Sequence, residues 1–199
     1  MKKLLLIGAV LPALAGLAAC GDRTATNTSD TMMTEEGMSN DAMLNDGMMA
    51  DGAVGNDMDS ANLNAQSFAN TMAASDMFEI ESAKIAQEKA TAPGLKKFAA
   101  QMINDHTAST AKLKTAAASA NVTPAPAMTA AQEANLGALR AATGDAFDTA
   151  YKQQQVEAHQ QALTALQGYA RSGDSEPLKT FAANTATVVE GHLKEVQGM

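Results

Sequence analysis

The sequence predicts an all-α domain over residues 63–199, an up-down bundle of four long helices with one short extra helix between the second and third. Three observations lead to this fold class. Apolar residues recur at three- and four-residue spacing along four long stretches, alanine is abundant, and Pro, Gly or Ser residues separate the stretches. Four helices of roughly 23 to 28 residues with short connections favour antiparallel neighbours around one core.

The first two helices are predicted on either side of a Pro-Gly break. The first spans about residues 65–90, with Phe68, Met72 and Ala83 on one apolar stripe. Pro93 suits a first helical turn, where its missing N–H is not needed, so the second helix is expected to run from Pro93 to about residue 120.

The short helix follows a proline-rich segment that cannot be helical. Thr129 and Gln132 form a capping box for a helix that continues to about Ala142. Gly144 then ends this helix, and the third long helix is predicted over about residues 145–170.

The last long helix is predicted to begin after Ser175, which we expect to act as its N-cap, and to run to about Gln197. Pro177 fits its first turn. Its buried side is expected to include Leu178, Phe181, Val188, Val189 and Val196.

The N-terminal region, residues 1–19, has the pattern of a secretory signal peptide. Lysines precede an apolar run that is too short to cross a bilayer. The run ends in Leu17-Ala18-Ala19-Cys20, which resembles the bacterial lipobox, and Cys20 is the only cysteine in the chain. The sequence therefore predicts a lipoprotein lipidated at Cys20, anchored in the cell envelope. Since Gly21 and not Asp follows the cysteine, the outer membrane facing the periplasm is expected; the alternative is an ordinary secretory signal with a chance cysteine.

Residues 20–62 are predicted to be a disordered acidic tether. The segment lacks aromatic residues and carries nine acidic residues against Arg23, whereas residues 63–199 are nearly balanced in charge. No basic stripe suggests nucleic acid, and the sequence identifies no protein partner. Methionine thioethers favour Cu(I), but a low-complexity spacer explains the same composition; the methionines are Met32, Met33, Met38, Met43, Met48, Met49 and Met58.

The three histidines of the chain all fall on predicted interior stripes: His106, His159 and His192. Glu79 lies on the equivalent stripe of the first helix. Counting from the loops places Glu79 beside His106, and offsets His159 from His192 by roughly one and a half turns. We therefore predict that Glu79 and the three histidines bind one transition-metal ion, Zn, Fe or Cu. Nearby carboxylates are expected to support the ligands or replace them: Glu81, Asp105, Glu157 and Glu190.

Two alternatives remain open at the level of sequence. A buried Glu–His network without metal would make the domain a structural or stress-protective envelope component, and a redox enzyme using the metal is a third hypothesis. No nucleophile–base pair, phosphate-binding loop or cofactor fingerprint occurs in the chain. The sequence therefore assigns no catalytic residue and gives no support to a hydrolase, kinase or dehydrogenase.

Residues 68–193 resemble the bacterial envelope family known only as domain of unknown function 4142, in the motifs Phe78-Glu79-Ile80-Glu81, Asp105-His106-Thr107, Phe147-Asp148 with Tyr151, and Gly191-His192-Leu193. The resemblance implies a ferritin-like four-helix fold and an envelope location, and it implies no activity. Ferritin-like di-iron centres use Glu-x-x-His motifs, which this chain lacks. Glu157 and His159 are two positions apart and diverge by about 200° around a helix, so a di-iron centre is not expected.

Overall fold

The computed structural model describes residues 63–199, which form five helices and no strand. The all-α prediction is confirmed, and each helix ends within two residues of its predicted boundary. The helices are α1 (Ala65–Lys89), α2 (Pro93–Ser119), α3 (Ala130–Ala141), α4 (Gly144–Ser172) and α5 (Glu176–Gln197).

The predictions for residues 1–62, namely the signal peptide, lipidated Cys20 and the methionine-rich tether, lie outside the described residues. Within residues 63–199, none of the helices combines the length and the apolar character that a bilayer crossing requires.

Two antiparallel hairpins build the bundle, α1 with α2 and α4 with α5. The segment that joins the hairpins runs along the length of α1: at the start of α1 the Gln66 side chain donates to the Thr123 carbonyl, and at its end Lys89 donates to the carbonyls of Leu139 and Arg140. As a result α2 and α4 are parallel. The predicted proline-rich segment and short helix are present there, but they form a long crossover, so the long helices do not simply alternate in direction; such a crossover occurs in ferritin-like bundles.

The core consists of two apolar clusters at opposite ends of the bundle. The lower cluster joins the starts of α1 and α5 to the ends of α2 and α4, with Phe68 stacked on Tyr169 at 3.9 Å between ring centroids. The upper cluster joins the other helix ends, with buried Phe98, Met102 and Phe147. Val188 is 45% exposed, contrary to the sequence-based prediction, because adjacent helical residues point 100° apart and Val189 takes the inward position.

The helix ends confirm one predicted cap and correct another. Thr129 accepts from the Gln132 N–H at 3.1 Å while the Gln132 side chain accepts from the Thr129 N–H at 2.9 Å, so the capping box is present. Ser175 occupies the N-cap position of α5, but its hydroxyl makes no capping bond. One of the two N–H groups that a cap can accept from would belong to Pro177, which has none.

A carboxylate fastens the upper end of the bundle. Asp148, in the first turns of α4, accepts hydrogen bonds from the backbone N–H and hydroxyl of Thr91 and from the N–H of Ala92. Burial raises the pKa of Asp148, but these hydrogen bonds and the Lys96 charge outweigh it, so the pKa lies below its usual value. Asp148 thereby ties the α1–α2 turn to the second hairpin.

Candidate metal centre

A layer of buried polar residues separates the two apolar clusters, and the three histidines lie at its centre. The ring centroids of His106 and His159 are 5.8 Å apart, those of His106 and His192 are 5.9 Å apart, and those of His159 and His192 are 5.5 Å apart. One ligand atom from each ring lies within 4.8 Å of the other two, and all three residues are buried. The structure thus brings the three predicted imidazoles together.

Each imidazole is held by one of its two ring nitrogens. His106 Nδ1 lies 2.8 Å from Asp76 Oδ1, and His192 Nε2 lies 2.9 Å from Asp105 Oδ2. His159 Nδ1 lies 2.8 Å from the backbone oxygen of Gln155. Because a carbonyl or an ionised carboxylate only accepts, each of these nitrogens carries the hydrogen, and in the neutral form of each ring the second nitrogen has a free lone pair.

These second nitrogens, Nε2 of His106, Nε2 of His159 and Nδ1 of His192, have no hydrogen-bonding partner among residues 63–199. Each is buried, so its desolvation is uncompensated by any contact within the bundle. Three lone pairs on converging rings are the arrangement that a metal ion requires of its ligands.

The level of His159 relative to His192 was predicted wrongly: these rings form the closest pair of the three. His159 lies 13 residues before the end of α4 at Ser172, and His192 lies 16 residues after the start of α5 at Glu176. The offset is therefore three residues, about 4.5 Å. Side chains lean toward the N-terminus of their own helix, so His159 leans away from the connecting loop and His192 leans toward it, which closes the gap.

Glu79 is buried beside the histidines but is not one of the group whose ligand atoms converge. Its Oε2 accepts from Gln155 Nε2 at 2.6 Å, and its Oε1 lies 3.5 Å from His159 Nδ1. That nitrogen is the one already held by the Gln155 carbonyl. The carboxylate therefore stands behind the His159 ring, in contrast to the sequence-based expectation that it lies among the ligands.

Of the four carboxylates expected to support the ligands, only Asp105 contacts a histidine. Glu81 pairs with Lys84 at 2.7 Å, Glu190 pairs with Lys194 at 2.7 Å, and Glu157 accepts from Gln153 at 3.0 Å, all toward the surface. Each of these three lies two positions from an inward-facing residue, and a step of two turns a helical side chain by about 200°.

Sequence reasoning missed Asp76 and Gln155, which hold two of the three rings. Asp76 lies on the apolar stripe of α1, between Met72 and Glu79, and a buried acid at that spacing could have been noticed. Gln155 acts partly through its backbone carbonyl, one helical turn before His159, and the sequence carries no signal for that contact.

The comparison with protein families decides where the chain belongs. The model of the family described as "Domain of unknown function (DUF4142)" matches residues 52–199. The chain belongs to this family. No curated protein matches the sequence significantly.

Solved structures that resemble the DUF4142 domain include CopM in its Cu(I)-bound form, with 24% identity and a TM-score of 0.60 over 69% of this chain and 95% of that one. CopM in an Ag-bound form has 22% identity and a TM-score of 0.57 over the same shares. A DUF305 fragment from Deinococcus radiodurans has 12% identity and a TM-score of 0.61, again over 69% and 95%. At these identities the likeness shows a shared helical-bundle fold.

The charges around the DUF4142 histidines favour a cation. Burial lowers the pKa of His106, but its hydrogen bond to Asp76 and the charges of Glu79, Asp76 and Asp105 outweigh burial and raise it. Burial lowers the pKa of His192, and its bond to Asp105 offsets this only in part. The charges of His159 and His106 lower the pKa of His192 further, whereas the carboxylates of Asp76, Glu79 and Asp105 favour a positive charge at His106, either a proton or a bound cation.

Three imidazole nitrogens form a ligand set that suits zinc, copper, iron or nickel. Three protein ligands also leave at least one coordination position for another donor. Within residues 63–199 the converging group holds imidazoles and no carboxylate, which differs from the carboxylate-rich ligand set of a di-iron centre. The chemistry of the donors thus fits a mononuclear site.

Proposed function

We propose that the domain binds one transition-metal ion through His106, His159 and His192. The observation that carries the proposal is that each ring has one nitrogen hydrogen-bonded to the protein and a second nitrogen that is buried without a partner. An unpaired buried acceptor costs about 1–3 kcal/mol. A single ion would satisfy all three nitrogens at once.

Residues around the histidines have distinct roles in this proposal. Asp76, the Gln155 carbonyl and Asp105 orient the rings and increase their basicity, as the outer partners of metal-bound histidines do. Glu79 and Asp76 are buried and lie close enough to offset the charge of a bound cation. The Phe98 ring, 6.2 Å from that of His159, helps to exclude water. A buried ion of this kind suits binding or storage more than turnover.

Copper is the first ion to test. The similar bundle of CopM has been solved in Cu(I)-, Cu(II)- and Ag-bound forms. That likeness is one of fold. That this domain prefers the same metal as CopM is part of our proposal. The donor set alone permits zinc and iron as well.

The test compares metal binding by the full chain, purified in detergent, with that of a His106→Ala/His159→Ala variant. The variant keeps every methionine of the N-terminal region, so the difference between the two titrations reports the bundle site. We expect one additional ion per chain in the wild type, with unchanged helicity by circular dichroism. Glu190→Gln, at a surface pair with Lys194, is the matched control and should bind as the wild type does. Equal metal content in the wild type and the double variant would contradict metal binding at the histidines. It would favour the alternative in which these residues form a metal-free polar network that stabilises the fold.

We also propose that the protein is a lipoprotein of the cell envelope, anchored through Cys20 to the outer membrane. The support is the lipobox-like sequence before Cys20 and the Gly that follows it. Two or more acyl chains give stable anchoring where one is marginal. Cys20→Ser should move the protein from the membrane fraction to the soluble fraction; a variant that stays in the membrane fraction contradicts lipid anchoring.

A further inference from the structure

We propose that Met102 supplies a fourth ligand, its thioether sulfur, and that the site therefore selects a soft monovalent ion, Cu(I). This inference rests on the proposed metal site and adds to it a ligand and a preferred ion.

Phe98, Met102 and His106 follow one another at every fourth position of the buried face of α2. The Phe98 ring lies 6.2 Å from the ring of His159 and 6.5 Å from that of His192, and the His106 ring lies 5.8 Å and 5.9 Å from the same two rings. The pair formed by His159 and His192 therefore faces the stretch of α2 between Phe98 and His106.

Met102 is the midpoint of that stretch. Positions four apart differ by about 40° around a helix, so Met102 projects between the directions of Phe98 and His106. Its side chain is fully buried. A methionine is unbranched and has three rotatable bonds, so its sulfur can adjust to an ion held by the neighbouring rings.

Other donors around the histidines are less suited to the remaining position. Asp76 holds His106 through Oδ1 and accepts from Thr110 through Oδ2, Asp105 holds His192 through Oδ2, and Glu79 accepts from Gln155 behind the His159 ring. Burial raises the pKa of Tyr151, which keeps its hydroxyl protonated and therefore a poor ligand. Among the described side chains near the rings, the Met102 sulfur and Gln155 Oε1 have no such commitment, and of these two only the thioether is a soft donor, since an amide oxygen suits harder cations.

The resulting donor set has three imidazoles and one thioether, all neutral. Thioethers are soft ligands that favour Cu(I), whereas Zn²⁺ sites in proteins use thiolate, imidazole and carboxylate. Loss of the sulfur should therefore weaken Cu(I) binding selectively. Zn²⁺ should use the imidazoles and be nearly indifferent to Met102.

The decisive variant is Met102→Leu, which keeps the volume of the side chain and removes the sulfur. Met72→Leu, a buried methionine in the lower cluster, is the matched control. Cu(I) affinity is measured anaerobically in the full chain by competition with a chromophoric chelator, with the His106→Ala/His159→Ala variant as background. We expect Met102→Leu to bind Cu(I) more than about tenfold more weakly than the wild type. Loss of a direct ligand should cost at least as much as loss of a residue that only supports a ligand, which lowers affinity by about 10- to 100-fold. Met72→Leu should equal the wild type, and Zn²⁺ affinity should change less than about twofold in both.

X-ray absorption of the Cu(I)-loaded protein provides a second readout, since a sulfur neighbour should be present in the wild type and absent in Met102→Leu. Equal Cu(I) affinities with no sulfur signal would overturn the role of Met102 and leave the histidine site intact. Parallel losses of Cu(I) and Zn²⁺ would assign Met102 to packing and overturn the inference as well. If the wild type binds neither ion above the background, the proposed function itself fails.

Discussion

The Asp148 contact and the histidine cluster are both polar contacts between helices, but they differ in whether their hydrogen bonds are complete. Both oxygens of Asp148 are engaged by Thr91 and Ala92. Each histidine is engaged at one nitrogen and unpaired at the other. A polar contact that is complete within the chain fastens the fold, whereas unpaired buried nitrogens on neighbouring rings indicate a place for a ligand.

The largest expected effect is the stabilisation gained on adding metal, which should depend on the histidine cluster and not on the Asp148 contact. An ion at a free concentration of about 100 times its Kd should stabilise the wild type by about 2.7 kcal/mol. Asp148→Ala should retain that gain in thermal unfolding, and the His106→Ala/His159→Ala variant should show none of it. A gain that disappears in Asp148→Ala would mean that the two regions are not independent.

The next effect concerns the outer partner of His106. Asp76→Ala removes the acceptor that fixes the ring, and metal affinity should fall by about 10- to 100-fold. Asp76→Asn keeps an acceptor oxygen and should lose less. Isothermal titration of the three proteins checks the order; equal affinities in all three would show that Asp76 does not orient a ligand.

A smaller effect is expected in the metal-free protein. His192→Leu removes a buried unpaired nitrogen, and its partner Asp105 has a side chain 42% exposed that water can reach. The free energy of unfolding should therefore stay the same or rise by about 1 kcal/mol. Chemical denaturation without metal measures it. A loss of more than about 1 kcal/mol would favour the alternative in which the histidines form a structural network.

The smallest effect is the acid sensitivity of the Asp148 contact. Because folding lowers the pKa of Asp148 below its usual value of 3.8, the contribution of this carboxylate is present above about pH 4 and is lost as the pH falls through the folded value. The carboxylate is partly exposed, so the contribution should be below about 1 kcal/mol. The difference in unfolding free energy between wild type and Asp148→Asn should shrink between pH 7 and about pH 3. A difference that grows toward acid would contradict the direction of the pKa shift.

The fold could be predicted from sequence because its signals are local. The capping box at Thr129 and the break before Pro93 specify helix ends within a few residues, and the stripe carrying each histidine specifies which side faces the core. The parallel direction of α4 was missed because it depends on the path of the crossover that contains α3 along the bundle.

Contacts between helices were the part that sequence could not supply. Asp105 and His192 are 87 positions apart, and their bond depends on the angle at which α2 packs on α5. Glu79 and His159 both face inward as predicted, yet the Gln155 side chain determines that the carboxylate lies behind the ring. Spacing along one helix predicts the direction in which a side chain points. Predicting a contact between two helices also requires knowing how each helix is rotated about its own axis.

His106 belongs to the first hairpin, whereas His159 and His192 belong to the second. Under the proposed function, an ion shared by the three would act as a removable cross-link between the two hairpins, in addition to the apolar clusters and the Asp148 contact that already hold them together. Such a link should slow the separation of the hairpins and so lengthen the lifetime of the native state. Loading with metal would then govern how long the domain survives proteolysis.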